Sequence, residues 1–503
     1  MVNGALVSNV TGGPVYKMAT VEDVKAYFDA GFSFVLGDDA DYMAYRAIGH
    51  AVGDGYSEID GNGYYLGSDA IKLLELVQEY CERYGVAYDD AKVLVKSLYL
   101  EGAMKGESNH GDGQIKINIG KMYAKLKTYP CFGGFIVCDE PRGYQAETYN
   151  YWYDYLVTGL GVYKDGYSLY GSLLGMNAAP VHVADTANSG ASEVLGLTAE
   201  QYETYLQKFI ARPVDKVNDT LCFDYYPFVE TVTGKRKGTI FNYTYYHETK
   251  ISMLGQYFQN MEIFARLSEQ NGYKRSVCIQ SVSFRNKTLY NQIVQDNKDS
   301  YGKSSRYWGK VTQEMMTYQL YCALAYGYDQ AAYFTYMQPS NQTDGEWFSD
   351  SAYEWQLQSD GTYKAVATET YTAIKNANAE ILVMSEKASG YKWLGTVYSV
   401  GASATGNVFG GTASYSCNAL SAVSSDYDAI VGCLKNDDGK FGFMVVNADD
   451  PRNNRAASVT LSFGSGYTSV TYYDNGVKKT ASLTSGKVTL NVGAGKGLFV
   501  IPA

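Results

Sequence analysis

The chain has 503 residues, a net charge of -11, 46% hydrophobic residues and only 19% charged ones. It is too apolar for disorder and long enough for more than one core. An acidic balance without basic runs argues against a nucleic-acid partner and against an anionic membrane surface. The 49 tyrosines suit a neutral, partly apolar ligand such as a sugar, because the ring offers a flat face with a polar handle; the alternative is that they only furnish sheets and surfaces.

MVNGALVSNVTGG (residues 1–13) lacks the charged start, apolar run and cleavage site of a secretion signal, and no stretch reaches the length of a membrane span. We expect a secreted or cell-surface bacterial protein whose targeting segment has been removed, with cytoplasmic residence as the alternative. A weak strand follows, either ALVSNV or PVYKMA. TVEDVKAYFDAG (20–31) then reads as a helix and FSFVLGDD (32–39) as a strand. After a Gly- and Asp-rich loop, SDAIKLLELVQEYCERYG (68–85) carries a capping Ser68 and an apolar period of helical spacing. KVLVKSLYL (92–100) and FIVCDEP (135–141) are the next strands.

TYNYWYDYLVTGL (148–160) can be helical, NAAPVHVADT (177–186) extended, and TAEQYETYLQKFI (198–210) helical with Gln201 at the capping-box position. Strand TLCFDYYPF (220–228) precedes a long helix over 248–272, strand RSVCIQSVSF (275–284), helix TQEMMTYQLYCALAYG (312–327) and strand QAAYFTYMQP (330–339). A last helix covers 363–386. Repeated strand-then-helix order with strands apolar throughout predicts an α/β fold, a (β/α)8 TIM barrel over residues 1–389, with an open doubly wound sheet as the alternative. From 390 to 503 short alternating runs split by Gly, Asn and Asp predict a C-terminal antiparallel β-sandwich, which either braces the barrel or binds carbohydrate.

In a barrel, chemistry gathers at the C-terminal ends of strands. There this chain places Asp38, Asp39 and Asp41; Asp139 and Glu140; Asp185; Asp224, Tyr225 and Tyr226; Gln280 and Ser281; and Gln338. Pro141 disfavours helix at the residue before it, so Glu140 is expected to be extended and aimed. Glycoside cleavage needs an acid to protonate the leaving oxygen and a base or nucleophile to meet the oxocarbenium ion. Neighbouring carboxylates can raise one pKa while another stays ionised, which makes Glu140 the acid/base candidate, with Asp139 adjoining it and Asp224 a possible base or nucleophile across the pocket. The bland reading is that polar residues simply begin where strands surface.

FIVCDEP resembles the fourth-strand Asn-Glu-Pro motif of clan A (β/α)8 glycoside hydrolases, and FDYYPF (223–228) and YFTYMQP (333–339) look like strand ends of an uncharacterised bacterial branch of that group. The resemblance implies general acid/base catalysis by Glu140 and puts Asp139 where the Asn meets the sugar 2-hydroxyl. It also implies a nucleophilic Glu at the end of strand seven, where this chain has Gln280 and Ser281. A second resemblance is to barrel hexosaminidases that act by substrate assistance. They too carry Asp-Glu after strand four, with the Asp orienting the substrate acetamide, here Asp139, the Glu acting as acid/base, here Glu140, and a Tyr such as Tyr225 or Tyr226 holding the acetamide.

The expected activity is hydrolysis of O-glycosidic bonds in a carbohydrate or glycoconjugate. The alternatives are substrate-assisted cleavage of a 2-acetamido sugar and a non-catalytic carbohydrate-binding protein on a decayed barrel, the last favoured by Gln280. A non-carbohydrate barrel enzyme is disfavoured, since no Lys nucleophile motif or distinct phosphate loop stands out. Asp39, Tyr225, Tyr226, Gln280, Gln338, Glu346 and Trp347 are the candidate substrate contacts, the last two on the loop after strand eight. Trp152 and Tyr153 either line the cleft or pack a helix. The eight cysteines read as buried thiols, no His/Cys cluster has metal spacing, and no cofactor is expected. NADDPRNN (447–454) is a weak candidate for a calcium loop. Nothing in the sequence sets an oligomeric state.

Overall fold

The computed structural model describes residues 5–7, 14–16, 20–37, 68–108, 110–174, 199–210, 212, 215, 218–233, 249–286, 304–336, 346–357, 359, 363–401 and 417–503. Two compact units interleave along the chain: Met1–Asp224, Asn271–Lys274 and Met337–Thr368 form one, and the remainder forms the other.

Five parallel strands lie side by side in chain order in the first unit: Phe34–Gly37, Lys92–Lys96, Phe132–Asp139, Ser168–Leu174 and Asp219–Asp224. Helices connect them, as parallel pairing requires. Thr20 and Asp23 cap the helix Val21–Asp29 reciprocally. Phe132–Asp139 is buried along all but its last residue, and Asp219–Asp224 along its whole length, as expected of strands covered on both faces. Phe132–Asp139 also slips register twice, at Gly133 against its Lys92–Lys96 neighbour and at Val137 against Ser168–Leu174. Such bulges bend a strand and re-aim its end. Gly134 is obligatory in the bend: its φ is 137°, and a Cβ there would lie 1.9 Å from the Ser168 carbonyl oxygen.

At the N-terminal edge of this sheet, buried Asp219 accepts hydrogen bonds from the hydroxyls of Tyr153 and Tyr163. The Arg212 guanidinium lies 3.7 Å over the Tyr153 ring. This cluster ties the helix Ala146–Asp154 to the sheet at the end opposite the carboxylates discussed below.

The second unit holds a parallel pair, residues 275–280 with Gln330–Phe334, joined through the helix Gln313–Ala325, which Thr312 caps. It also holds antiparallel strands Val229–Thr233 and Ser304–Trp308. Its largest part is the sandwich: a six-stranded and a three-stranded antiparallel sheet running from Tyr391 to Pro502. Alternating burial in Ala457–Phe463 and Lys487–Val492 turns one face of each strand inward onto a core that includes Phe443, Val445, Leu461 and Val500. The helix Gln313–Ala325 packs so closely on this sandwich that a Cβ at Gly432 would fall 1.9 Å from the Ala325 carbonyl oxygen.

Several expectations are corrected. The described strands do not close a (β/α)8 barrel: Phe34–Gly37 and Gln330–Phe334 each have a strand neighbour on one side only among the described residues. The two N-terminal pieces expected to supply an eighth strand, Ala5–Val7 and Pro14–Tyr16, pair antiparallel with each other instead. The expected strand over 92–100 stops at Lys96, because Ser97 caps a helix, Leu98–Lys105, by accepting from the Leu100 amide. The strand between Phe132–Asp139 and Asp219–Asp224 is Ser168–Leu174, and residues 177–186 lie outside the described residues. The last helix is Glu369–Ala388. Its expected first turn is instead a strand, Tyr363–Ala367, paired with Tyr353–Leu357. Glu346 and Trp347 begin a short strand, Glu346–Ser349, rather than a loop.

Candidate active site

Parallel pairing brings the C-terminal ends of four neighbouring strands together. Lys96 pairs with Ile136, Asp139 with Ser172, and Leu174 with Asp224. Lys96, Asp139, Glu140 and Asp224 therefore share one sheet edge.

Glu140 follows Asp139 at the strand end. As a residue it is exposed, yet its carboxyl is crowded by the surrounding protein and feels the Asp224 side chain. Crowding by the surrounding protein and the charge of Asp139 push the Glu140 carboxyl above its ordinary range, against the pull of the Asp224 hydrogen bond and of Lys105 and Lys96. The backbone differs from expectation: Glu140 has φ 47°, in the left-handed region and not extended. The chain turns sharply here, and the turn is held from beyond: the Tyr205 hydroxyl donates to the Pro141 carbonyl at 2.6 Å. A non-glycine residue kept in this conformation marks a place where side-chain position is worth backbone strain.

A charge relay of three further residues backs this edge. Lys96 Nζ lies 3.2 Å from Asp139 Oδ2 and 3.7 Å from Glu101 Oε2. Glu101 is buried and takes Lys105 at 2.5 Å, one helical turn on. Burial works against the Lys105 ammonium, but the charge and hydrogen bond of Glu101 outweigh it and the pKa stands above its ordinary value. Cys138, directly before the pair, is buried and its thiol is pushed well above the usual range, so it is no nucleophile at neutral pH. Reading residues 92–100 as one strand hid Glu101 and Lys105; their four-residue spacing behind Ser97 was the available signal.

Of the other candidates, Tyr225 is fully buried and packs its ring 5.7 Å from that of Tyr257. Tyr226 is nearly buried, 4.4 Å from the Trp308 ring, with its hydroxyl toward the Cys278 thiol. Gln280 is buried with its amide committed to the backbone: Oε1 accepts from Phe228 N at 3.0 Å, and Nε2 donates to Phe228 O at 3.3 Å and Gly309 O at 3.1 Å. Trp152 and Tyr153 are buried helix residues. Asp38, Asp39, Asp41, Asp185 and Gln338 lie outside the described residues. Among the described residues no group of His, Cys, Asp and Glu is arranged to hold a metal. The calcium-loop reading gives way to an ionic lock: Asp449 takes Arg455 and Asp450 takes Arg452, each at 2.7 Å. All eight cysteines are free thiols, and all but Cys278 are buried. No described helix is long and apolar enough to cross a membrane.

No family model matches the chain, and no curated protein does. Among solved structures, it is similar to an α-amylase from Anoxybacillus (8% identity, 97% of this chain and 91% of that chain covered, TM-score 0.45). It is also similar to an α-amylase from Geobacillus thermoleovorans (10% identity, 99% and 92% covered, TM-score 0.45). A third is a glycoside hydrolase family 5 protein from Bacteroides vulgatus (10% identity, 96% and 85% covered, TM-score 0.44). At these scores the likeness bears on neither the fold nor the activity of this chain.

Proposed function

We propose that the chain hydrolyses O-glycosidic bonds in a carbohydrate or glycoconjugate, with Glu140 as general acid/base. The observation that carries the reading is that parallel register gathers Lys96, Asp139, Glu140 and Asp224 at the C-terminal edge of one sheet. A carboxyl whose pKa is raised by burial and by a neighbouring charge suits protonation of a leaving glycosidic oxygen. Asp224 is the second carboxyl at this edge and the candidate base or nucleophile.

The ion pair that fixes Asp139 next to Glu140 favours a second reading at the same site, substrate-assisted cleavage of a 2-acetamido sugar. Here the acetamide oxygen attacks C1, and Asp139, held by Lys96, orients it. Turnover of aryl glycosides with and without a 2-acetamido group, by the unsubstituted protein and by Glu140→Gln, tests both readings. Cleavage confined to 2-acetamido substrates selects the second. Equal turnover by Glu140→Gln removes Glu140 from the mechanism.

A further inference from the structure

The turn directly after Glu140 is built unlike a passive connection. Pro141, Gly143 and Gln145 are buried, while Arg142 is half-buried and Tyr144 is 65% exposed, among the large side chains most open to solvent. The backbone is locked from below. The Arg142 amide donates to Gln145 Oε1 at 2.8 Å, and the Gln145 amide returns to the Arg142 carbonyl at 2.8 Å. Gln145 Nε2 reaches the Lys105 carbonyl at 3.2 Å and Glu107 Oε1 at 3.4 Å. The alternation therefore presents Arg142 and Tyr144 outward together on a fixed frame.

The two outward side chains are organised against each other. An Arg142 terminal N–H donates to the Tyr144 hydroxyl at 3.1 Å, and the guanidinium stands 6.0 Å from the Tyr144 ring centroid. The chain as a whole carries a net charge of -11, so a guanidinium placed outward beside the strand end stands out. One guanidinium N–H is engaged by Tyr144, and the planar fork carries four more donors. An exposed aromatic face beside a guanidinium offers stacking for a sugar ring and bidentate bonding for an anionic substituent. Four chain steps from Glu140, about 14 Å at full extension, put the pair within the reach of an oligosaccharide held at Glu140.

We infer that Arg142 and Tyr144 form a subsite for an anionic sugar unit of the substrate, its ring against Tyr144 and its carboxylate or sulfate on Arg142. The inference rests on the glycoside-hydrolase reading of Glu140 and names a substrate class for it.

The test is binding by the full-length Glu140→Gln protein to an array of neutral, uronate-containing and sulfated oligosaccharides. The best binder is then titrated calorimetrically at low and high sodium chloride. Acidic glycans should bind preferentially, with the uronate and sulfate arms showing which anion is taken. Adding Arg142→Ala should weaken binding about tenfold or more and abolish its salt dependence. Arg142→Lys should fall between, Tyr144→Ala should weaken binding, and Tyr144→Phe should hold it. Equal binding of neutral and acidic glycans, unchanged by Arg142→Ala, overturns the subsite and leaves the role of Glu140 standing. Binding to no glycan also overturns it, and joined to absent turnover by the unsubstituted protein it removes the hydrolase reading as well.

Discussion

Lys96 and Asp139, from neighbouring parallel strands, form an ion pair at 3.2 Å at the C-terminal sheet edge, directly before Glu140. Removing the acid by Glu140→Gln should lower kcat by about 10²–10⁴-fold. The pH profile tests the electrostatics. The charge of Asp139 raises the Glu140 pKa, and Lys96 lowers it. Asp139→Asn removes the first influence and frees Lys96 to act more strongly, so the Glu140 pKa falls. An acid must be protonated to act, so the alkaline limb of kcat/KM should move to lower pH. A limb that stays in place, or moves up, removes Glu140 as the titrating acid.

The backbone at Glu140 makes a separate prediction about stability. With φ at 47°, any side chain with a Cβ is strained there, whereas glycine is not. Glu140→Ala and Glu140→Gly both delete the carboxyl, so their difference isolates the strain. The Gly variant should be the more stable by about 1 kcal/mol in urea denaturation, the reverse of the usual order. An Ala variant equal or superior to the Gly variant would refute the strain.

Gln280 shows why a side chain at an expected nucleophile position need not be a relic of one. Its amide holds Phe228 and Gly309 backbone groups together, and its own backbone is tied to Gln319. A carboxylate there could accept but not donate. Gln280→Glu should therefore cost about 3–5 kcal/mol, as expected for an uncompensated buried charge, and should not raise turnover. Gain of activity in a folded Gln280→Glu protein would show that the position faces substrate.

What was legible in the sequence follows from the range of the forces involved. The helices Gln313–Ala325 and Ala199–Ile210 and most sandwich strands were readable because caps and periodicity act within a few residues. Asp139 and Glu140 were readable for the same reason, as carboxylates immediately after an apolar run. The partnership with Asp224 spans 84 positions and depends on parallel register, which no local pattern encodes. The left-handed Glu140 was missed because the proline rule weighs only the local dipeptide, while Tyr205 and Asp224 act on that turn from elsewhere in the sheet and its helices. Barrel closure was inferred from strand-helix order, and order alone does not fix which edges pair. The N-terminal pieces satisfied each other as a hairpin.

The buried cluster at the opposite sheet edge predicts a pH dependence of folding with a definite sign. Burial pushes the Asp219 carboxyl up to about 6, against the lowering influence of Arg212 and of hydrogen bonds from Tyr153 and Tyr163. The folded state thus holds this proton more tightly than the unfolded chain, where a carboxyl titrates near 4. The stability gained from protonation is complete below about pH 4 and is withdrawn as pH rises through about 6, at most about 3 kcal/mol in all. Asp219→Asn keeps an acceptor oxygen for the tyrosines and never ionises. Measured by thermal melts from pH 4 to pH 8, its stability relative to the unsubstituted protein should rise across this window and level off above pH 7. Parallel curves would mean that Asp219 stays ionised throughout, its charge held by Arg212 more strongly than burial opposes it.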